Sequence, residues 1–249
     1  MIKIENIQAT GWESAIRGMR NPMNSWSKSD SRWFYTAPAG YTTIPGDNEV
    51  YCIGPNDRDL MLRLCSAGTD HRKFMRMIIV YMDITAPLYW WKEADTYSVG
   101  VVKNSCSTMH KIHEKEFTLE DFSHEHLISG WCGKDKNGVT VFLPGPLEKL
   151  ESTIELLNAI RETYLYVSKT PKDKIDWSFT PDLSAKDIWW QMIQLLPSSY
   201  NQKRTVMLNY EVLANIYKSR KNHKLDEWVE FCKWIETLPY SELITGKNE

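Results

Sequence analysis

An apolar run from Met77 to Ile84 constrains the fold of this chain more than any other segment of its sequence. Nearly every residue in the run is apolar, which predicts a strand buried on both faces. Thr85-Ala86-Pro87 follows and predicts a helix that continues to about Ser98, because proline fits the first turn of a helix, where its N–H is not needed. A buried strand that passes directly into a helix is typical of α/β and α+β architectures.

Helical spacing of apolar residues dominates the second half of the chain. Pro146 opens a long helix. Residues 184–187 have the form of a capping box and predict a further helix, which Pro197 ends. We expect two more helices, one at about residues 205–219 and one around Trp228.

The remaining segments read as short strands and turns. Residues 1–55 mix strand-like runs with turn signals, and residues 110–145 read as an irregular excursion with a hairpin at Asn137-Gly138. No repeat or linker is evident. We therefore expect an α/β (α+β) fold with a central sheet, long helices and a helix-rich second half, in a single domain that covers residues 1–249.

Bulk properties narrow the class of protein. Charged residues make up 25% of the 249 residues and the formal net charge is −2, which argues against non-specific binding of nucleic acid. No apolar run approaches the roughly 18 residues that a membrane span needs. The first residues read as a strand and not as a secretory signal. Five widely spaced cysteines without a CxxC pair predict reduced thiols, so we expect a cytoplasmic protein.

Polar groups interrupt the helical pattern near the C-terminus. Asn209, Arg220, His223 and Glu227 are the candidates for a site at a helix junction. Arginine suits planar, bidentate recognition of a phosphate or a pyrimidine carbonyl. His223 and Glu227 are four apart and could meet on one helical face. Charge placement at a helix end and a cap for the next helix explain the same residues equally well.

A second candidate lies upstream, in the polar run that contains Lys103, Ser105 and Ser107. It lacks the glycine spacing of a phosphate-binding loop, but backbone amides and hydroxyls there could hold a phosphate. Composition alone favours an ordinary polar loop.

Two other groups of residues favour plain interpretations. Four histidines between His110 and His126 match no zinc-finger spacing, so we expect solvated loop histidines and no metal site. The 11 tryptophans are expected mostly in the core and at subunit interfaces, with an aromatic protein-interaction surface as the alternative.

The order of these segments resembles that of the flavin-dependent thymidylate synthases, which methylate dUMP with FAD and a folate. Residues 56–68 are similar to the family's helix before its His-rich turn, which corresponds to residues 69–74. Residues 82–93 resemble its strand and Ala-Pro-initiated helix. The resemblance covers about residues 56–110 and 183–240.

The resemblance implies roles for the C-terminal candidates. Asn209 stands where an asparagine contacts the flavin, and Arg220 matches the arginine that contacts the pyrimidine nucleotide and would be catalytic. His223, which would also line the flavin, and Glu227 match a His-Ala-Gln-x-Glu segment, in which Leu225 replaces the glutamine.

One family signature is missing. Arg-His-Arg, followed by a serine and an arginine, helps hold FAD and the substrate phosphate, whereas residues 95–108 contain neither arginine nor histidine. Loss of several charge-assisted contacts, at about 1.5–3 kcal/mol each, costs much of the binding energy. Lys103, Ser105 and Ser107 are the candidates to replace the phosphate contacts.

The resemblance implies two functions. The first is binding of a pyrimidine nucleotide such as dUMP, with FAD for reductive methylation. The alternative is a nucleotide binder without catalysis that senses or sequesters its ligand. In both, the family pattern implies a homo-oligomer, most simply a tetramer. The balanced charge and the absence of a long apolar run predict no nucleic-acid or membrane partner.

Overall fold

The computed structural model describes residues 2–36, 38–39, 42–46, 48–176, 178 and 183–246. The chain divides into two compact units. The sheet unit contains Ile2–Thr85, Glu93–Asn104 and the described residues from Lys203 onward. The helix-pair unit contains Ala86–Lys92 and the described residues of Ser105–Gln202. The single domain over residues 1–249 stays a prediction.

The described residues contain nine strands. They are β1 (Lys3–Thr10), β2 (Arg32–Phe34), β3 (Thr43–Pro45), β4 (Val50–Cys52), β5 (Ile79–Pro87), β6 (Val102–Ser105), β7 (Trp131–Lys134), β8 (Thr140–Leu143) and β9 (Asn201–Asn209). The main sheet has the strand order β1-β5-β9-β6, with β1 antiparallel to β5. A three-stranded sheet has the order β2-β4-β3, and β7 pairs with β8.

Nine α-helices accompany the strands in the described chain. They are α1 (Trp12–Arg20), α2 (Pro55–Ser66), α3 (Leu88–Ala94), α4 (Thr108–Lys111), α5 (Pro146–Lys169), α6 (Ala185–Leu195), α7 (Tyr210–Arg220), α8 (Asp226–Ile235) and α9 (Glu242–Thr245). The α/β class and the helix-rich second half are thereby confirmed. No helix in the described part of the chain combines the length and the apolar character of a membrane span.

The apolar run forms a strand only from Ile79 onward, because Met77 ends a short 3-10 helix, and this strand has one accessible face. Val80, Met82 and Ile84 are at most 2% exposed, whereas the side chains between them are more accessible. On that second face Thr205 donates a hydrogen bond to Asp83 at 2.7 Å. The alternation of Asp83 with apolar neighbours is the period of a strand with one face in the core.

The helix predicted after Thr85 is shorter than expected. β5 continues through Pro87, and α3 ends at Ala94, well before Ser98. At this end the ammonium group of Lys103 donates to the carbonyl oxygen of Ala94 at 2.8 Å. The last carbonyls of a helix have no partner within the helix, so a lysine from a following strand satisfies one of them.

The helix predicted at about residues 205–219 is wrong in its first part. β9 occupies Asn201–Asn209, and α7 begins only at Tyr210. Val206 and Leu208 are buried on one face of β9, which is the spacing of a strand. The start of α7 is fixed by Asn209, whose side-chain oxygen accepts a hydrogen bond from the Val212 N–H at 3.0 Å.

One helix in the first 55 residues was not predicted. α1 follows Gly11, whose φ of 88° lies in the left-handed region. Trp12, Ala15, Ile16 and Met19 form its buried face, at the spacing expected of an amphipathic helix.

The helix-pair unit confirms several local predictions. α5 packs against α6 over a core that includes Phe122, Leu157 and Met192. Ser184 and Asp187 form the predicted capping box. The predicted hairpin turns at Gly138, whose φ of 82° requires glycine and whose N–H donates to the carbonyl of Asp135 at 3.0 Å.

The tryptophans that the structure describes lie in the core, at the surface or, like Trp189 and Trp234, between the two. The buried ones are Trp12, Trp90, Trp91 and Trp228. The exposed ones, all at least 39% accessible, are Trp26, Trp33, Trp131 and Trp190. The expected core role therefore applies to part of them.

Candidate functional site

Helix α7 carries a predicted site residue at each end, both within the sheet unit. At its start, Asn209 is 8% exposed, and its Nδ2 has no hydrogen-bond acceptor among the described residues. A Cβ atom on Gly100 would lie 3.0 Å from this nitrogen. Gly100 has a φ of 72°, so only glycine combines this backbone conformation with this close approach.

At the other end of α7, three side chains hold the guanidinium group of Arg220. Its Nε donates to the Tyr97 hydroxyl at 3.0 Å. Its Nη1 lies 2.7 Å from Glu93 Oε2 and 2.8 Å from His223 Nε2. The planar group is therefore fixed in position and orientation.

An aromatic ring completes this environment. The guanidinium carbon of Arg220 lies 4.8 Å from the ring centroid of Trp228, within the range of a cation–π interaction. Trp228 is 1% exposed, and its indole N–H donates to the same Glu93 oxygen at 3.0 Å. Glu93, Tyr97, Arg220, His223 and Trp228 are called the Arg220 cluster below.

One edge of Arg220 remains available. The Arg220 side chain is 19% exposed, and no residue in the described ranges accepts a hydrogen bond from its Nη2. Nη2 of Arg220 and Nδ2 of Asn209 are thus two donors that can serve a ligand's carbonyl or phosphate oxygens.

His223 lies in the turn between α7 and α8, not on a helix. Its backbone N–H donates to the carbonyl of Arg220 at 2.9 Å, and its Nδ1 lies 3.2 Å from the Leu225 N–H. Both ring nitrogens therefore face donors, although a neutral imidazole has only one acceptor nitrogen. The expected meeting of His223 and Glu227 on one helical face is wrong, because only Glu227 lies on α8, where it is buried.

Lys103 is engaged within the loop that precedes it. Its ammonium group donates to the carbonyls of Ala94 at 2.8 Å and Tyr97 at 3.2 Å, and to Asp95 Oδ1 at 3.0 Å. These three contacts use all three of its donors. A phosphate contact by Lys103 would need at least one of them to break.

Asp95 is shared by two cations. Arg204 Nη1 lies 2.9 Å from Asp95 Oδ1, in addition to Lys103. Burial alone would raise the pKa of the Asp95 carboxyl, but hydrogen bonds from Lys103 and Arg204 hold that pKa below its usual range. Asp95 therefore stays ionised and fixes the loop.

The two serine candidates belong to the helix-pair unit. Ser105 is the last residue of β6 and is exposed. Ser107 is the N-cap of α4, and its hydroxyl oxygen accepts a hydrogen bond from the His110 N–H at 3.0 Å. Among the residues that the structure describes, no group of three or more His, Cys, Asp or Glu side chains is arranged to hold a metal ion.

Sequence reasoning found Arg220 and His223 but missed the residues that hold them. Tyr97 and Glu93 come from the end of α3 and the turn after it, far from Arg220 in sequence. Trp228 was expected in a helix, and the helical pattern did not indicate its contact with Arg220.

Comparison with known proteins gives matches among solved structures only: no family model and no curated relative matches the sequence. Two crystal structures of the flavin-dependent thymidylate synthase ThyX from Helicobacter pylori, both with FAD and dUMP, are 15% and 16% identical, with TM-scores of 0.58 and 0.56. Each alignment covers 98% of this chain and 97% of the other.

A third structure is the UMP/dUMP methylase PolB from Streptomyces cacaoi bound with 5-Br dUMP. It is 12% identical, with a TM-score of 0.51, over 95% of this chain and 89% of that one. Identities this low establish the fold and not the activity, and the chain therefore has the fold of the flavin-dependent thymidylate synthases.

Proposed function

We propose that this protein binds a pyrimidine nucleotide of the dUMP type at the Arg220 cluster. The observation that carries the proposal is the state of Arg220: Tyr97 and Glu93 accept hydrogen bonds from its guanidinium group and His223 contacts it, while Nη2 keeps no acceptor in the described chain. A fixed, planar donor edge suits a pyrimidine carbonyl or a phosphate oxygen. Little further ordering is then needed when the ligand binds.

Charge supports an anionic ligand. Arg220 carries a positive charge, and its Nη2 can form a charge-assisted hydrogen bond, which suits a phosphate oxygen. Asn209 Nδ2, at the other end of α7, is a further donor without charge.

Residues 95–108, which correspond to the family's Arg-His-Arg segment, do not fit the diphosphate of FAD. Residues 95–108 contain one cation, Lys103, and its three donors are already used. A diphosphate binds through several charge-assisted hydrogen bonds. Binding of a nucleotide without catalysis, to sense or sequester it, is therefore the function that the geometry supports best.

Flavin-dependent methylation is the second candidate. It is supported by the two Helicobacter pylori structures of the same fold, which contain FAD and dUMP. In this alternative Arg220 contacts the pyrimidine, Asn209 and His223 line the flavin, and Ser105 and Ser107 contact phosphate. A homotetramer is proposed for both candidates, and light scattering then gives four times the 29.1 kDa of one chain.

Calorimetric titration with dUMP and UMP, each with and without FAD, tests both candidates. We expect dUMP to bind without FAD, and Arg220→Gln to weaken binding about tenfold or more, the value of a charge-assisted hydrogen bond. Arg63→Gln is the matched control, because Arg63 is an exposed helical arginine whose ion-pair partner in the described ranges is the exposed Asp59. Absence of dUMP binding under both conditions sinks the proposal, and stoichiometric FAD uptake with dUMP turnover establishes the second candidate instead.

A further inference from the structure

A cleft of about 300 Å³ lies in the sheet unit beside α1 and is called the α1 cleft below. The side chains that matter here are Glu13, Arg17, Arg20, Trp26, Arg32 and Trp33. None of them belongs to the Arg220 cluster or to the loop next to it. The volume is at the lower end of the range for small-molecule sites.

Two tryptophans line this cleft while remaining accessible. Trp26 is 51% exposed and Trp33 is 42% exposed. Their indole N–H groups are already bound, that of Trp26 to Asn21 Oδ1 at 2.8 Å and that of Trp33 to Glu13 Oε2 at 3.2 Å. These bonds restrain both rings, so what each ring offers a ligand is its apolar surface.

A buried arginine also lines the cleft. Arg20 is 4% exposed; its Nε donates to Asp57 Oδ1 at 2.6 Å and its Nη1 to the Ser25 carbonyl at 3.3 Å. Within the described ranges, Nη2 of Arg20 has no acceptor. This nitrogen can therefore donate a hydrogen bond to an oxygen of a ligand in the cleft.

Positive charges outnumber negative charges among the side chains of the cleft. Arg20 is neutralised by Asp57. Arg17 and Arg32 form no ion pair with a described residue, and Glu13 is the carboxylate that opposes them. Two unpaired cations against one carboxylate leave one positive charge, which suits a monoanion.

We infer that this cleft binds a small planar aromatic monoanion, such as an aryl or heteroaryl carboxylate. The ring lies against Trp26 and Trp33, and the carboxylate accepts hydrogen bonds from Arg20 Nη2 and Arg17. The inference is independent of the nucleotide proposed for the Arg220 cluster, because it uses other residues and another ligand class.

Calorimetric titrations of the full chain with three probes of similar size separate the contribution of the planar ring to binding from that of the negative charge. Benzoate has the ring and the charge, cyclohexanecarboxylate keeps the charge without the planar ring, and benzamide keeps the ring without the charge. We expect cyclohexanecarboxylate to bind about fivefold more weakly than benzoate, and benzamide about tenfold more weakly. Equal binding of all three, or no binding of benzoate, overturns the inference.

Variants assign the binding to this cleft. Trp26→Leu and Arg17→Gln each change an exposed side chain, so both proteins should fold, and each should weaken benzoate binding about fivefold or more. Trp131→Leu is the matched control, because Trp131 is 47% exposed and lies on the β7–β8 hairpin. Unchanged benzoate affinity in both cleft variants, or an equal loss in the control, rejects the site.

Discussion

The Tyr97 hydroxyl oxygen lies 3.0 Å from Nε of Arg220, and the guanidinium carbon lies 5.7 Å from the centroid of the same tyrosine ring. The carbonyl of Tyr97 accepts a hydrogen bond from Lys103 at 3.2 Å. One residue of the loop therefore contacts the two cations that the sequence singled out, through separate groups. Tyr97 thereby couples the position of Arg220 to the conformation of the loop.

Tyr97→Phe removes the hydroxyl and keeps the ring. We expect a loss of about 1 kcal/mol in the free energy of unfolding, the usual net value of one hydrogen bond. The affinity for dUMP should fall about threefold to tenfold, because Nε of Arg220 loses an acceptor that orients it. Urea unfolding and calorimetry measure the two effects. Tyr81→Phe, at an exposed tyrosine of β5, should change neither, and an equal effect there would count against an orienting role for Tyr97.

Glu93→Gln should act on affinity in the opposite direction. The side chain keeps an oxygen for the Trp228 N–H, now 3.0 Å from Glu93 Oε2, but loses the charge that faces Arg220. We expect dUMP to bind about twofold to fivefold more tightly at low salt, because the local positive charge rises by one, and this gain should shrink as salt screens the charge. A fall in affinity at low salt would mean that Glu93 acts mainly by orienting Arg220.

Lys103→Met tests whether Lys103 stabilises the loop that precedes it or contacts the phosphate of the ligand. If Lys103 only braces the loop, the variant should lose about 1–2 kcal/mol of stability, since the carbonyls of Ala94 and Tyr97 lose a charged donor. In that case the affinity for dUMP should change less than about threefold, well below the tenfold of a lost charge-assisted bond. Lys92→Met, at an exposed lysine, is the control for loss of charge. A loss of affinity much larger than the control's would support the phosphate role predicted from sequence.

The parts of the fold that sequence predicted are those set by neighbouring residues. The capping box at Ser184, the helix opened by Pro146 and the turn at Gly138 each depend on contacts within a few residues. Residues 205–208 were assigned to a helix because a short apolar run fits both periods. Their place in β9 depends on pairing with distant strands, which local sequence does not specify.

The same distinction applies to the site. Arg220 and His223 are close in sequence, so their association could be predicted. Glu93 and Tyr97 reach Arg220 only because the turn after α3 returns to the end of α7, and no local pattern encodes that approach. Lys103 was predicted to be available to a ligand, because only the folded loop brings the carbonyls of Ala94 and Tyr97 to its ammonium group.

Gly100→Ala tests the contact between the loop and Asn209. Gly138→Ala is the matched control, because both glycines have positive φ but only Gly100 has a neighbour in the space of the added Cβ, Asn209 Nδ2 at 3.0 Å. The backbone cost of about 1–2 kcal/mol should be common to both variants. Gly100→Ala should in addition weaken dUMP binding, because the displaced amide is a proposed ligand donor. Equal affinities in the two variants would remove Asn209 from the site.

Asp57→Asn tests the buried ion pair between Asp57 and Arg20, the arginine that lines the α1 cleft. Asp57 is fully buried and Arg20 is 4% exposed, so removing one charge should cost about 3–5 kcal/mol in the free energy of unfolding. Asp59→Asn, at an exposed carboxylate of the same helix, should cost less than about 1 kcal/mol.

The pH dependence of that ion pair has a defined sign. Burial raises the pKa of the Asp57 carboxyl, but hydrogen bonds from Ser31, Ser29 and Arg20 outweigh it and hold the pKa below its ordinary value. The Asp57 carboxyl therefore takes up a proton less readily in the folded protein than in the unfolded chain, where an aspartate has a pKa of about 3.9. The stability that Asp57 contributes is present above that pH and is lost as the pH falls through the lower, folded pKa.

Urea unfolding from pH 7 downward measures this effect. The difference in the free energy of unfolding between wild type and Asp57→Asn should be constant at first and shrink below about pH 4. A difference that stays constant through that range would show that the carboxylate charge is not what stabilises this network.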